Sequence, residues 1–233
     1  LLNKKATIVM PTTSARVKVE AVRSYGAVVE WVDTSVQTRA ARVAELKEDI
    51  EGVYVASPYD CPHVIEGNAS LGKEIASCNL DLVVVPIGGG GLCSGIIKGL
   101  HESESKTKVW GAEPLMANDA ARSLKLGCLL NNEGEPQTIA DGARTRSLGK
   151  LNWEIIRSGV EGIVEVKEEH IKIGVRDLYS WGVSSEPTGA LTLGALLQEA
   201  ANKEKMWSFL QQKRVGIVVS GGNVDAEVFK DLI

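Results

Sequence analysis

The run Leu82-Val-Val-Val-Pro-Ile-Gly-Gly-Gly-Gly-Leu92 decides the fold. Leu82 to Val85 is continuously apolar and mostly β-branched, the pattern of a strand buried on both faces. A segment of helical periodicity follows Gly91. Between them, glycines let backbone N–H groups turn to one side without Cβ clashes. A helix N-terminus behind such a loop completes a nest for a phosphate dianion. A flexible linker has a similar composition, but a linker does not belong between this strand and an apolar helix. The dinucleotide fingerprint fails, because Cys93 or Ser94 stands where its third glycine should be. The nucleotide-triphosphate loop fails too: Gly90 and Gly95 have its spacing, but Ile96 and Ile97 replace Lys and Ser/Thr. A small phosphorylated cofactor is what remains.

Outward from this run, short apolar segments alternate with longer helical ones. Upstream, the pattern predicts strands at Ala6–Met10 and Ala27–Val32, with helices over Ser14–Tyr25 and from Val36 to Ile50. Val53–Ala56 is short and apolar. A helix over Val64–Ser77 leads into Leu82. Downstream come a strand at Lys108–Ala112, a helix over Ala117–Leu126 and a helix near Asn152. A strand at Gly162–Val166, a helix from Lys167, a helix over Thr188–Ala201 and a strand at Val215–Val219 complete the series. Apolar strands separated by helices predict an α/β fold, a parallel twisted sheet covered by helices on both faces. The turn-rich stretch from Ala56 to Pro62 divides it. Residues 1–57 read as the remainder of a small α/β domain, and 58–233 as a large, incomplete cofactor-binding α/β domain.

The bulk composition agrees with a folded chain. Of 233 residues, 44% are hydrophobic and 24% charged, enough to bury a core and against disorder. Lys and Arg (26) balance Asp and Glu (30) without a basic run, which argues against a nucleic-acid surface. No apolar run reaches the length of a membrane span. Cys61, Cys78, Cys93 and Cys128 form no Cys-x-x-Cys pair and the histidines are scattered, so zinc spacing is absent. Buried reduced thiols in a cytoplasmic protein are the simplest reading. The chain opens on Leu1 rather than Met, and the expectation is that an upstream part belongs to the full product.

Three further segments are candidates for chemistry. Val218-Val-Ser-Gly-Gly-Asn223 is another strand running into glycines, and ligands of parallel sheets lie beyond such strand ends. Ser220 there could set its hydroxyl against a heterocycle nitrogen, although a plain tight turn fits Gly221 and Gly222 equally well. Ser185-Glu-Pro-Thr-Gly-Ala190 opens a helix, and the helix dipole alone accounts for Glu186. In Thr138-Ile-Ala-Asp-Gly-Ala-Arg-Thr145, Asp141-Gly142 reads by itself as a turn.

In order and spacing these segments resemble the serine racemase and serine/threonine dehydratase family, pyridoxal-phosphate enzymes of the tryptophan-synthase-β fold type. Ala6–Ala27 and Cys61–Ser70 also look like that family, with Asn68 and Ser70 in place of its usual Gln and Thr. The resemblance covers essentially the whole chain. It implies that Gly88, Gly89, Gly90, Gly91 and Leu92 hold the phosphate of pyridoxal 5'-phosphate through backbone N–H groups. It implies that Ser220 faces the pyridine nitrogen, that Glu186 and Gly142 border the ring, and that Asp141 lies on the substrate side. A Mg²⁺ or Ca²⁺ ion is implied at Glu113, Asp119 and the Ala117 carbonyl, the oxygen donors such cations prefer; two solvated carboxylates near a helix start would look the same. The implied reaction is β-elimination or racemisation of serine, threonine or a related hydroxy amino acid, in a homodimer. The Ala140-Asp141-Gly142 and Glu186-Pro187 segments argue for this over β-replacement.

One part of the family pattern is missing. Its Schiff-base lysine lies in a Ser-x-Lys-x-Arg-Gly-like segment, followed by a Ser-Ser-Gly-Asn-His-like loop, and neither occurs here. Lys4, Lys5 and Lys18 sit in the strand and helix that should follow both. The expectation is that these residues alone lack the covalent anchor and the usual base, and are inactive. The alternative is a non-catalytic homologue that binds a phosphorylated small molecule or a partner subunit.

Overall fold

The structure, a computed structural model, describes residues 4–203 and 206–232. They fall into two compact units. One runs to Ala56 and takes in Asn223–Asp231; the other is Ser57–Gly222, with Leu232. Residues 223–231, which the sequence reading groups with the larger part, thus cluster with the first unit.

In the first unit, β1 (Thr7–Pro11) and β2 (Val28–Val32) pair in parallel, Thr7 opposite Val28 and Pro11 opposite Val32. Helix α1 (Arg16–Ser24) connects them, and α2 (Arg39–Asp49) follows with Thr38 as N-cap, its hydroxyl accepting from Ala41 N. Pro11 is the last residue of the β1 ladder. Helix α1 has no local cap; the Asp225 carboxylate supplies one, accepting from Arg16 N and Val17 N at 2.9 and 2.8 Å.

The second unit carries the main sheet. In chain order its elements are α3 (Pro62–Ser77), β3 (Leu82–Pro86), α4 (Gly91–Glu102), β4 (Lys108–Pro114) and α5 (Asp119–Leu126). Then come α6 (Lys150–Gly159), β5 (Gly162–Val166), α7 (Glu168–Ser180), α8 (Pro187–Asn202), α9 (Trp207–Leu210) and β6 (Val215–Ile217). A last helix, α10 (Ala226–Leu232), lies mostly in the first unit. The sheet order is β5-β4-β3-β6, and every pairing is parallel.

Strand β3 is buried along its whole length, as its apolar run requires. Its side chains alternate between two cores. Leu82 and Val84 join Leu191 and Ala195 of α8 and Ile171 of α7; Val83 and Val85 join Ile96 of α4 and Ile156 of α6. Helices α3 and α4 cross so closely that a Cβ on Gly99 would stand 2.1 Å from the Ala69 carbonyl, and one on Gly72 2.4 Å from that of Ile96. Small residues there are a condition of the helix layer.

Two expectations need correction. The last strand, β6, ends at Ile217 and not at Val219, although Val218 N still reaches the Val84 carbonyl at 3.0 Å. Of the four free thiols only Cys93 is buried; Cys78 and Cys128 are exposed. Among the described residues no helix is long and apolar enough to cross a membrane.

Candidate cofactor site

The glycines of these segments all lie in the second unit, and two of the segments follow the C-terminal ends of β3 and β6. The ladder carries the chain past the strand end, with Ile87 N donating to the Ala112 carbonyl at 2.8 Å. The loop then turns at Gly90 (φ +93°), and α4 starts at Gly91. Its carbonyls are engaged by the protein. Gly89 O accepts from Asn152 Nδ2 at 2.8 Å and from Gly149 N at 3.0 Å; Gly90 O accepts from Ser94 N at 2.9 Å. The N–H groups of Gly88 to Leu92, in contrast, have no protein acceptor among the described residues, and Gly89, Gly90 and Gly91 are buried. A row of buried donors without acceptors is costly unless something binds there. At the N-terminus of a helix the fitting ligand is an anion.

The other predicted residues meet this loop in sequence. A Cβ on Gly88 would stand 2.9 Å from the Gly142 carbonyl, so the 3₁₀ turn Asp141–Ala143 abuts the glycines. Gly142 N donates to Thr188 Oγ1 at 3.0 Å. The turn is held from behind by Glu168, whose carboxylate accepts from Thr138 Oγ1 (2.6 Å) and Ile139 N (2.9 Å). Two residues before Thr188, Glu186 N donates to Gly221 O at 3.0 Å, and a Cβ on Gly221 would fall 2.6 Å from Glu186 Oε1. Ser220, exposed, immediately precedes that contact. Gly88, Gly142, Thr188, Glu186 and Gly221 thus form one contiguous line.

Glu113, Ala117 and Asp119 lie elsewhere, where β4 passes into α5. Both carboxylates are buried, each 1% exposed. Glu113 caps α5, accepting from Ala120 N at 3.2 Å and Ala121 N at 2.6 Å. Asp119 accepts from Asn132 Nδ2 at 2.7 Å and Leu148 N at 2.9 Å. Burial, reinforced by the charges of Asp119 and Glu165, holds the Glu113 carboxyl well above its usual range; burial also lifts Asp119 to about 6. No cluster of three or more His, Cys, Asp or Glu side chains suited to a metal occurs among the described residues. The expected set of two carboxylates and a carbonyl falls below that count, and both carboxylates already accept protein N–H donors.

The sequence model of the family described as pyridoxal-phosphate dependent enzyme matches residues 1–221. The chain belongs to that family. Over 231 residues it is 36% identical to the serine racemase of Schizosaccharomyces pombe, covering 97% of this chain and 68% of the relative. Over 237 residues it is 37% identical to the L-threo-3-hydroxyaspartate ammonia-lyase of Saccharomyces cerevisiae, covering 100% and 70%. Among solved structures it is similar to maize serine racemase, with TM-score 0.86 and 31% identity over 97% of this chain and 68% of the other. It is also similar to the threonine deaminase of T.th., with TM-score 0.82 and 36% identity over 95% and 70%. The fold is the parallel, helix-flanked α/β type of these pyridoxal-phosphate enzymes, and the protein is an enzyme by family.

Membership of the pyridoxal-phosphate dependent family implies that cofactor, and the row of buried N–H donors fits its phosphate. Sequence reasoning missed several residues that shape the loop. The Tyr59 ring occupies the space a Cβ on Gly89 would need, at 2.3 Å. Asp60 accepts from Lys150 N and Leu151 N, both at 3.0 Å, and caps α6. Asn152 and Thr188 bond to residues far away in the chain. No local pattern marks any of them, and the turn from Ser57 to Pro62 reads from sequence only as a boundary.

Proposed function

We propose that the protein catalyses pyridoxal-phosphate-dependent elimination from, or racemisation of, a small hydroxy amino acid such as serine, threonine or 3-hydroxyaspartate. The observation that carries this is the row of acceptor-free N–H groups at Gly88–Leu92, with Gly142, Glu186 and Gly221 in line beside it. The relatives' activities supply the substrate class. In this reading Gly88, Gly89, Gly90, Gly91 and Leu92 bind the phosphate, and Gly142 and Glu186 border the ring. When bound, pyridoxal phosphate supplies the electron withdrawal that loosens bonds at the amino acid's α-carbon. Ser220 presents a neutral hydroxyl to the ring nitrogen and does not fix a proton there as a carboxylate would. This moderates the withdrawal and suits expulsion of a β-hydroxyl. Asp141 stands on the substrate side.

Residues 1–233 hold no lysine in the family's Schiff-base setting. Within the second unit Lys73, Lys98, Lys108, Lys167 and Lys213 pair with surface carboxylates. We therefore propose that these residues alone bind the cofactor reversibly without turnover; a non-catalytic binding homologue would behave likewise. Incubation with pyridoxal phosphate and serine, threonine or 3-hydroxyaspartate, followed by borohydride and peptide mapping, tests this. The expected result is no keto acid, no inverted amino acid and no single lysine labelled stoichiometrically. Turnover, with one lysine labelled stoichiometrically, contradicts it.

The Glu113–Asp119 pair supports a Mg²⁺ or Ca²⁺ ion with the Ala117 carbonyl as third donor. Millimolar Mg²⁺ or Ca²⁺ should raise the melting temperature of the wild type and not of Glu113→Gln; no shift in the wild type removes the metal from the account. A cytoplasmic homodimer completes the proposal. It rests on the family resemblance, and light scattering tests the dimer.

A further inference from the structure

We infer that Asn152 is a positioning residue that holds the phosphate cradle of Gly88–Leu92 in its binding shape; the inference rests on the cofactor reading above. Asn152 lies in the first turn of α6 and is 0% exposed. Its two Nδ2 hydrogens go to two carbonyls from distant parts of the chain, Gly89 O at 2.8 Å and Tyr59 O at 3.1 Å. Gly149 N gives Gly89 O its second hydrogen bond, so both lone pairs of that oxygen are anchored to the start of α6.

The consequence follows from peptide geometry. In a trans peptide the carbonyl of Gly89 and the N–H of Gly90 lie in one plane and point opposite ways. Drawing the Gly89 carbonyl toward Asn152 therefore aims the Gly90 N–H away from Asn152 and the start of α6. That N–H is central in the acceptor-free row. The contact is also steric, since a Cβ on Gly90 would stand 2.9 Å from Asn152 Cβ.

The orientation of the carboxamide is forced, because only its nitrogen can face two carbonyls. Its Oδ1 is left buried with no hydrogen-bond partner among the described residues. The fold tolerates this buried acceptor in the orientation that keeps one donor on the glycine loop and the other on the Tyr59 carbonyl.

The test uses 4'-deoxypyridoxine 5'-phosphate and its unphosphorylated counterpart, which lack the aldehyde that lysines trap. Equilibrium dialysis measures both affinities for the wild type, Asn152→Leu and Asn152→Ser, with thermal melts to verify folding. Asn152→Leu keeps the approximate volume, adds no charge and removes both donors. It should weaken binding of the phosphorylated probe roughly tenfold, while the unphosphorylated probe changes less than about twofold. Asn152→Ser, able to donate one hydrogen, should fall between, and it decides the matter should the leucine variant not fold. A purely structural role would lower the melting temperature and leave the ratio of the two affinities unchanged. An unchanged ratio in the folded variants overturns the inference and leaves the cofactor reading standing. A wild type that binds both probes equally overturns the cofactor reading itself.

Discussion

Gly90 and Gly67 make opposite demands on their surroundings. Gly90 has φ +93°, and a Cβ there would meet Asn152, Ile156 and Leu148 side chains, each at 2.9 Å. Strain and overlap act together, so Gly90→Ala should cost about 1–3 kcal/mol. Gly67 lies on the exposed side of α3, where a Cβ would meet nothing within 4 Å. Gly67→Ala should stabilise by about 0.5–1 kcal/mol, since alanine loses less backbone entropy in a helix. Urea denaturation of both variants checks the pair, and equal effects would refute the loop geometry. The thiols differ in the same residue-by-residue way. Burial pushes Cys93 up to about 12, whereas Cys78 and Cys128 are exposed. A thiol reagent at pH 8 should label Cys78 and Cys128 quickly and Cys93 only on unfolding, as peptide mapping would show. Sequence alone predicts buried thiols and cannot tell which; the difference lies in what packs against each sulfur.

At the scale of elements, the strands most legible in sequence are those that are apolar and bounded by turns. Leu82–Pro86 and Gly162–Val166 fall where the pattern puts them, as does the start of α4 at Gly91. Helix starts elsewhere are less legible because their caps come from afar. Asp225 caps α1, Glu113 caps α5 and Asp60 caps α6, so no Ser, Thr, Asp or Asn stands at the local cap to announce α1 or α6. Short α9 and α10 carry too little periodicity to be read. Helices α3 and α4 are tied at the surface by Glu102, which takes Lys98 and Lys73 at 2.8 and 2.9 Å. Hydrogen bonds from Lys98, then Lys73, lower its carboxyl from 4.5 to about 2. A depressed folded-state value contributes stability above pH 4.5 that is lost as pH falls through about 2. Glu102→Gln should flatten that part of the acid-unfolding curve, an effect that salt diminishes because the group is solvent-exposed. An unaltered curve would show that the pair contributes nothing.

For the molecule as a whole, the order of glycine segments along the chain is legible in sequence, and so is the family. What sequence does not supply is the set of contacts that makes the segments one site. Gly89 meets Asn152 across 63 positions, and Gly142 meets Thr188 across 46. Such contacts exist only once the parallel sheet has gathered its strand ends. In the proposed function the N–H groups of Gly88 to Leu92 bind a phosphate. Amide NMR of the ¹⁵N-labelled protein, titrated with 4'-deoxypyridoxine 5'-phosphate, addresses those groups directly. Large, saturable shifts of the Gly88–Leu92 amides are expected, which the unphosphorylated probe does not reproduce. Saturable binding that leaves these amides unmoved would contradict the proposal.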